Sequence, residues 1–156
     1  MDCLNLIRDW LQQEGVAFRE AHHEPTRTSE ESARARGEEL RIGGKALLIK
    51  VDAEFRLFVL SADRKLDSAA IRAHFNAKKT RFATPEELLE RTGLVPGCVP
   101  PFGSPILGFP LYADPSVFEN PRIAFNAGSL TDSIVMDIGD YRRLARPEVF
   151  TFAVGA

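Results

Sequence analysis

Between Val95 and Pro110 the chain reads VPGCVPPFGSPILGFP, with prolines at 96, 100, 101, 105 and 110 and glycines at 97, 103 and 108. Proline fixes φ and donates no backbone hydrogen bond, so no regular element is expected to run through this segment. In a chain of 156 residues, a length suited to one domain with its own core, a segment this stiff is either a bend in the scaffold or the wall of a site. Segments held by Pro and Gly present backbone N–H groups to a ligand at little ordering cost.

The flanking sequence predicts short elements of both kinds. Leu4, Ile7, Trp10 and Leu11 recur at helical spacing and Gly15 stops them. Val16 to Ala21 reads as a strand. Thr28-Ser29-Glu30-Glu31 is a capping-box pattern for a helix ending at Gly37. Lys45 to Val51 and Phe55 to Leu60 read as a hairpin around a polar break. Asp67 caps a helix containing Ile71 and Phe75, Lys79 to Ala83 is an edge strand, and Thr84-Pro85-Glu86-Glu87 starts a helix that Gly93 ends. Past the rigid segment, Arg122 to Asn126 and Ser133 to Ile138 read as strands, Tyr141 to Ala145 as a short helix and Val149 to Val154 as a last strand. Helices and strands intermix without a βαβ rhythm, which argues for a single α+β domain, residues 1–156, with a mixed, mostly antiparallel sheet.

Charge and cysteine content narrow the function. Twenty Lys and Arg against 22 Asp and Glu give a formal charge of −2, whereas a protein gripping long stretches of phosphate backbone carries a basic excess. Any nucleic acid is therefore held over a short stretch, the candidates being Arg64, Lys65, Arg72, Lys78, Lys79 and Arg81, or those residues form a solvated face. The two cysteines, Cys3 and Cys98, are far apart and form no disulfide framework. No apolar run reaches the length of a membrane span, and Met1-Asp2-Cys3-Leu4-Asn5 lacks the basic start of a signal peptide, so a reducing cytoplasm is expected.

Familiar catalytic motifs are missing: no GxSxG, P-loop, HExxH, CxxC or GxGxxG occurs. His22 and His23 are adjacent and His74 is isolated, so no metal-ligand spacing emerges and no cofactor is expected. Cys98 reads as a small apolar residue rather than a nucleophile. Three features stand out: Lys45 opening an apolar strand after Gly43-Gly44, the rigid segment, and the turn Asn126-Ala127-Gly128-Ser129. By themselves they describe a small polar site on an α+β domain.

Together these residues resemble the YbaK/EbsC-type aminoacyl-tRNA deacylases, a family that includes the editing domain inserted in bacterial prolyl-tRNA synthetases. The resemblance runs from His23-Glu24-Pro25 to the last strand. It is carried by Gly44-Lys45-Ala46-Leu47-Leu48-Ile49-Lys50, by Gly97-Cys98-Val99-Pro100-Pro101 with Phe102-Gly103, and by Phe125-Asn126-Ala127-Gly128-Ser129. It implies a barrel-like mixed sheet with surrounding helices, no metal, and as partners mischarged aminoacyl-tRNA through its 3′ end and a synthetase. Lys45 matches the family's functional lysine, and Gly97 and Pro101 its loop motif. Phe102, Gly103, Asn126, Gly128, Ser129 and Lys50 are carried over as substrate-binding positions. The segment around Tyr112-Ala113-Asp114-Pro115 is similar to a subgroup linked to Ser- and Thr-mischarged tRNAs. Alanine-directed members carry Asn after the lysine, where this chain has Ala46.

The implied chemistry is modest. An aminoacyl ester is already activated, so the site needs to orient a water or the neighbouring ribose hydroxyl and to stabilise an oxyanion. Backbone N–H groups of the Gly97–Gly103 segment suit the second task, and Lys45 suits phosphate and substrate anchoring. A non-catalytic nucleic-acid-binding or regulatory module is the alternative, with the rigid segment as scaffold. A hydrolase of other small acyl esters is a third reading.

Overall fold

The structure, a computed structural model, describes residues 2–155. Capping chemistry sets the helices. Helix α1 (Cys3–Gln13) starts where the Asp2 carboxylate accepts the Asn5 N–H, and it buries Ile7 and Leu11. After strand β1 (Phe18–His22), α2 (Ser29–Arg36) begins with Thr28 Oγ1 accepting the Glu31 N–H at 3.1 Å. The Glu31 carboxylate reaches back past Thr28 to the Arg27 N–H at 2.8 Å. Gly37 ends the helix at φ +71°, where a residue without Cβ is at ease.

Strands β2 (Gly44–Val51) and β3 (Glu54–Ser61) form the expected hairpin, with Val51 opposite Glu54. Beyond β3 lie β4 (Lys65–Leu66), α3 (Ser68–Phe75) capped by Asp67, β5 (Thr80–Phe82), and α4 (Pro85–Thr92) with a complete Thr84–Glu87 capping box. The rigid segment holds one wide helical turn, Gly103–Leu107, closed by the Gly108 N–H on the Gly103 carbonyl at 3.1 Å. No regular element was expected there; the turn tolerates Pro105 because a first turn leaves N–H groups unpaired anyway. Next come β6 (Leu111–Ala113), β7 (Arg122–Asn126), β8 (Asp132–Asp137) and α5 (Ile138–Ala145).

The single final strand expected over Val149 to Val154 is two strands. β9 (Glu148–Val149) pairs with β6, and β10 (Ala153–Val154) pairs with β4. The break arises at Asp114, whose buried carboxylate accepts the N–H groups of Phe152 and Ala153 at 2.8 and 2.9 Å. The strands thus make a five-stranded sheet in the order β5–β2–β3–β6–β9, a three-stranded sheet β1–β8–β7 and the β4–β10 pair. Only β3–β6 and β6–β9 run parallel, so the α+β fold is mixed and mostly antiparallel; its barrel-like sheets do not close among the described residues.

Alternating side chains of the β2–β3 hairpin divide the core. Leu48, Leu57 and Val59 join Ile7, Leu11, Phe102, Phe125 and Tyr141 on one face, while Ile49, Phe58 and Leu60 join Ile71, Tyr112 and Phe152 on the other. The two larger sheets meet at one point, a parallel bridge between Gly43 and Ala124. The site lies along that seam.

Candidate active site

A cleft of about 230 Å³ opens at the seam, lined by Thr26 to Ser29 and Arg36, by Gly43 to Leu47, and by Gly97, Val99 and Asn126. It exists because β5 covers β2 only in part. β5 pairs with Ile49 to Val51, and the Ala83 N–H reaches the Leu48 carbonyl at 2.9 Å. Backbone groups of successive residues in an antiparallel strand face opposite sides, so those of alternate residues face the same side. With Leu48 turned toward β5, Ala46 faces the same way, where β5 no longer reaches, so its N–H and C=O lack a strand partner and edge the cleft. Gly44 is required for the close packing here, since a Cβ would sit 2.7 Å from Ile123 Cγ1. Lys45, opposite Leu60 on β3, is half-buried at the mouth and makes no ion pair or hydrogen bond through its side chain among the described residues.

The opposite wall is the start of the rigid segment. Gly97 sits at φ +91°, and its carbonyl accepts Asn126 Nδ2 at 2.7 Å. The Cys98 N–H is spent on the Val95 carbonyl at 3.1 Å, and Pro100 and Pro101 have none. Gly97 and Val99 alone in this segment bring uncommitted N–H groups to the cleft wall.

Asn126 is held in turn by a buried network. Its Oδ1 accepts Arg36 Nη2 at 2.9 Å and lies 3.2 Å from the Ser133 hydroxyl. Ser133 Oγ accepts Arg36 Nε at 2.9 Å and contacts His23 Nε2 at 2.8 Å. Arg36 is only 8% exposed, and burial pulls its pKa down to about 10 against the opposing influence of Glu38. Arg36, Ser133 and the Thr26–Ser29 hydroxyls were not among the expected site residues. An arginine in the last turn of a polar helix reads as a partner of the helix dipole, and no sequence signal marks its burial.

Of the nine expected site residues, the fold brings Lys45, Gly97 and Asn126 to the cleft. Pro101 is buried behind it, its carbonyl accepting the Tyr141 hydroxyl at 2.7 Å. Phe102 is a core residue, edge-on to Trp10 and Phe125, and Gly103 packs against the Phe109 carbonyl. The chain turns inward after Val99 because Phe102 is apolar, so sequence neighbours of Gly97 leave the site. Gly128, at φ +74°, faces Cys3 and donates to the Cys98 carbonyl, and Ser129 donates to Asp132 at 2.8 Å; both shape the turn beyond Asn126 without lining the cleft. Lys50 is five residues along β2 from Lys45, over the Phe55 ring. That spacing puts it on the opposite face of the strand and roughly 17 Å away.

Part of the expected basic group is engaged with other side chains. Arg64 pairs with Glu119 and Arg81 with Glu87, while Arg72 approaches the hydroxyls of Ser68 and Thr80. The Cys98 thiol is buried and its pKa is raised by that burial, which disfavours the thiolate a nucleophile needs. Among the described residues no cluster of three or more His, Cys, Asp or Glu is arranged to hold a metal ion, and no helix is long and apolar enough to cross a membrane.

Residues 23–144 match the model of the aminoacyl-tRNA editing domain. The chain belongs to that family. This editing domain is 39% identical over 148 residues to the multifunctional Ser/Thr-tRNA deacylase ProXp-y of Escherichia coli (strain K12), covering 91% of this chain and 87% of that protein. It is 32% identical over 117 residues to the proline–tRNA ligase of Shouchella clausii (strain KSM-K16), covering 75% of this chain but only 20% of the ligase. Its fold superposes on a solved structure described as a candidate trans-editing enzyme for prolyl-tRNA synthetase with a TM-score of 0.84 at 24% identity, over 99% of both chains.

Proposed function

We propose that this editing domain, residues 1–156 as one unit, is a trans-acting hydrolase that removes Ser or Thr wrongly esterified to tRNA. The observation that carries the reading is the cleft itself, lined by a Lys45 unpaired among the described residues and by Gly97 and Val99, with the Gly97 carbonyl held by Asn126. The relative of nearly equal length named as a Ser/Thr-tRNA deacylase supports the choice of amino acids. Ala46, in place of the Asn of alanine-directed members, supports it too.

In this reading Lys45 holds the phosphate next to the terminal adenosine, and the wall N–H groups receive the ester carbonyl. A water or the free ribose hydroxyl attacks an ester that needs no protein nucleophile. A cleft of about 230 Å³ has room for a small side chain; selectivity rests on steric exclusion of larger correct amino acids, because one methylene is worth only about 1–3 kcal/mol of binding. The partners are the 3′ end of mischarged tRNA and a synthetase that releases it, in the cytoplasm.

The test is deacylation by the purified protein across a panel of tRNAs charged with Ser, Thr, Ala, Cys and Pro. Hydrolysis of the Ser or Thr esters ahead of the others is expected. Binding of tRNA without ester hydrolysis would favour a non-catalytic module instead, and hydrolysis of aminoacyl esters lacking the tRNA body would favour a general esterase.

A further inference from the structure

Arg36 is a full positive charge at the floor of the cleft with no carboxylate against it. It is nine-tenths buried, and the acids just beyond it are committed elsewhere: Glu38 to Arg122 and Arg19, Glu39 to Arg41. A guanidinium offers five N–H groups. Ser133 Oγ takes the one on Nε and Asn126 Oδ1 takes one on Nη2. The other three, including both on Nη1, meet no protein acceptor among the described residues. Nη1 lies 3.6 Å from where a side chain on Gly43 would begin, so the absence of one keeps this nitrogen beside the cleft. Glu38 acts on Arg36 only without direct contact, and a buried cation lacking a directly paired counter-charge is strongly unfavourable. The cleft around it adds Lys45 and Arg27 and holds no Asp or Glu.

Such a site favours negative charge, and a ligand whose charge develops during the reaction gains that stabilisation only in the transition state. The ester carbonyl is neutral in the ground state and its oxygen carries a full charge in the tetrahedral intermediate, so a fixed cation stabilises the second over the first. The position suits this role: a single side-chain amide, that of Asn126, separates the Arg36 guanidinium from the Gly97 carbonyl on the opposite wall.

We propose that Arg36 is a catalytic residue of the deacylation, its Nη1 N–H groups binding the carbonyl oxygen of the aminoacyl ester as it becomes an oxyanion. The attacking water oxygen bonds to the carbonyl carbon, the carbonyl π pair moves onto the oxygen facing Arg36, and a water proton passes to solvent. On collapse that pair returns, the carbon–oxygen bond to the ribose breaks, and the ribose oxygen takes a proton. The products are a free amino acid and tRNA with an intact terminal hydroxyl. This role rests on the deacylase reading above.

The competing role for Arg36 is purely one of holding Asn126. Single-turnover deacylation of Ser-charged tRNA by wild type, Arg36→Gln and Ser133→Ala separates the two. The oxyanion role requires Arg36→Gln to lose about 100-fold in rate constant with little change in half-saturating enzyme concentration. Ser133→Ala, which removes part of the network but keeps the cation, loses less than about tenfold. Equal losses in both variants assign Arg36 to positioning and overturn the proposal, as does an Arg36→Gln within about threefold of wild type. To keep the test independent of how Arg36→Gln folds, a second measurement uses wild type alone. A phosphonate monoester of adenosine bearing the serine side chain, a tetrahedral anion, is expected to bind at least about tenfold tighter than the neutral 3′-amide analogue; equal affinities overturn the proposal. A wild type that hydrolyses no mischarged tRNA overturns the underlying deacylase reading, and the role of Arg36 with it.

Discussion

Replacing Gly97 with alanine tests whether the shape of the rigid segment, rather than any side chain on it, supports catalysis. The native φ of +91° lies in a region that costs a residue with Cβ about 1–3 kcal/mol. The new Cβ would also stand 3.2 Å from Leu130 Cδ2, a tight contact that a half-buried leucine on a turn relieves by a small shift. The expected loss of stability is therefore about 1–3 kcal/mol, or roughly 3–9 °C in Tm for a chain of this size. If the backbone instead relaxes to negative φ, the Gly97 peptide rotates, and the 2.7 Å bond from Asn126 Nδ2 to its carbonyl is lost. In that relaxed form the neighbouring N–H groups no longer aim at the oxyanion. Losing such a donor lowers kcat by about 100-fold while KM moves little, because the donor acts on the transition state. Steady-state kinetics on one mischarged tRNA, with thermal melting in parallel, reads both effects. A variant that melts lower yet keeps wild-type kcat would show the segment to be scaffold, and the assignment of its N–H groups would fall.

Lys45→Ala is expected to lower kcat/KM at least about tenfold and to leave Tm nearly unchanged, because the ammonium has no partner to lose; full activity in a normally melting variant would remove the anchoring role. Cys98→Ser is expected to keep activity within about threefold, at a stability cost of about 1–3 kcal/mol for burying a hydroxyl; inactive but folded protein would revive a thiol mechanism. Asp114→Ala strips the acceptor from the N–H groups of Ser116, Phe152 and Ala153. It should cost about 3 kcal/mol or more in urea unfolding; a loss under about 1 kcal/mol would mean that water replaces the carboxylate.

Features set within a few residues of each other were legible in the sequence. Thr28, Asp67 and Thr84 each accept the backbone N–H that their spacing foretold, and the β2–β3 hairpin closes where the polar break lies. What failed depends on distant partners. β6 is three residues between Pro110 and Asp114, too short to show a period, and is a strand only because β3 and β9 flank it. The final strand splits because a carboxylate near residue 114 binds its backbone. Of the expected positions, Lys45 and Asn126 line the cleft from near the ends of β2 and β7, and Gly97 lines it from the loop after α4. Pro101, Phe102 and Gly103 were carried along by proximity in sequence, although the apolar character of Phe102 argued for the core. Lys50 was avoidable: five residues along a strand is an odd number, and odd numbers change face. Arg36 was beyond reach, since its role appears only when residues 126 and 133 fold back onto it.

The pairing of β1 with β8, in which Phe18 lies opposite Met136, has a consequence for how the protein comes into being. Thr26 to Ser29 and Arg36, the first residues of the cleft, are made before β7 and β8, which supply Asn126 and Ser133. Local contacts such as the β2–β3 hairpin form without waiting, whereas the β1–β8 ladder joins residues more than a hundred positions apart. Until β8 is made, β1 lacks its strand partner and Arg36 lacks Ser133. A product ending before β7 therefore lacks Asn126, and one ending before β8 lacks Ser133 and leaves Arg36 short of a partner.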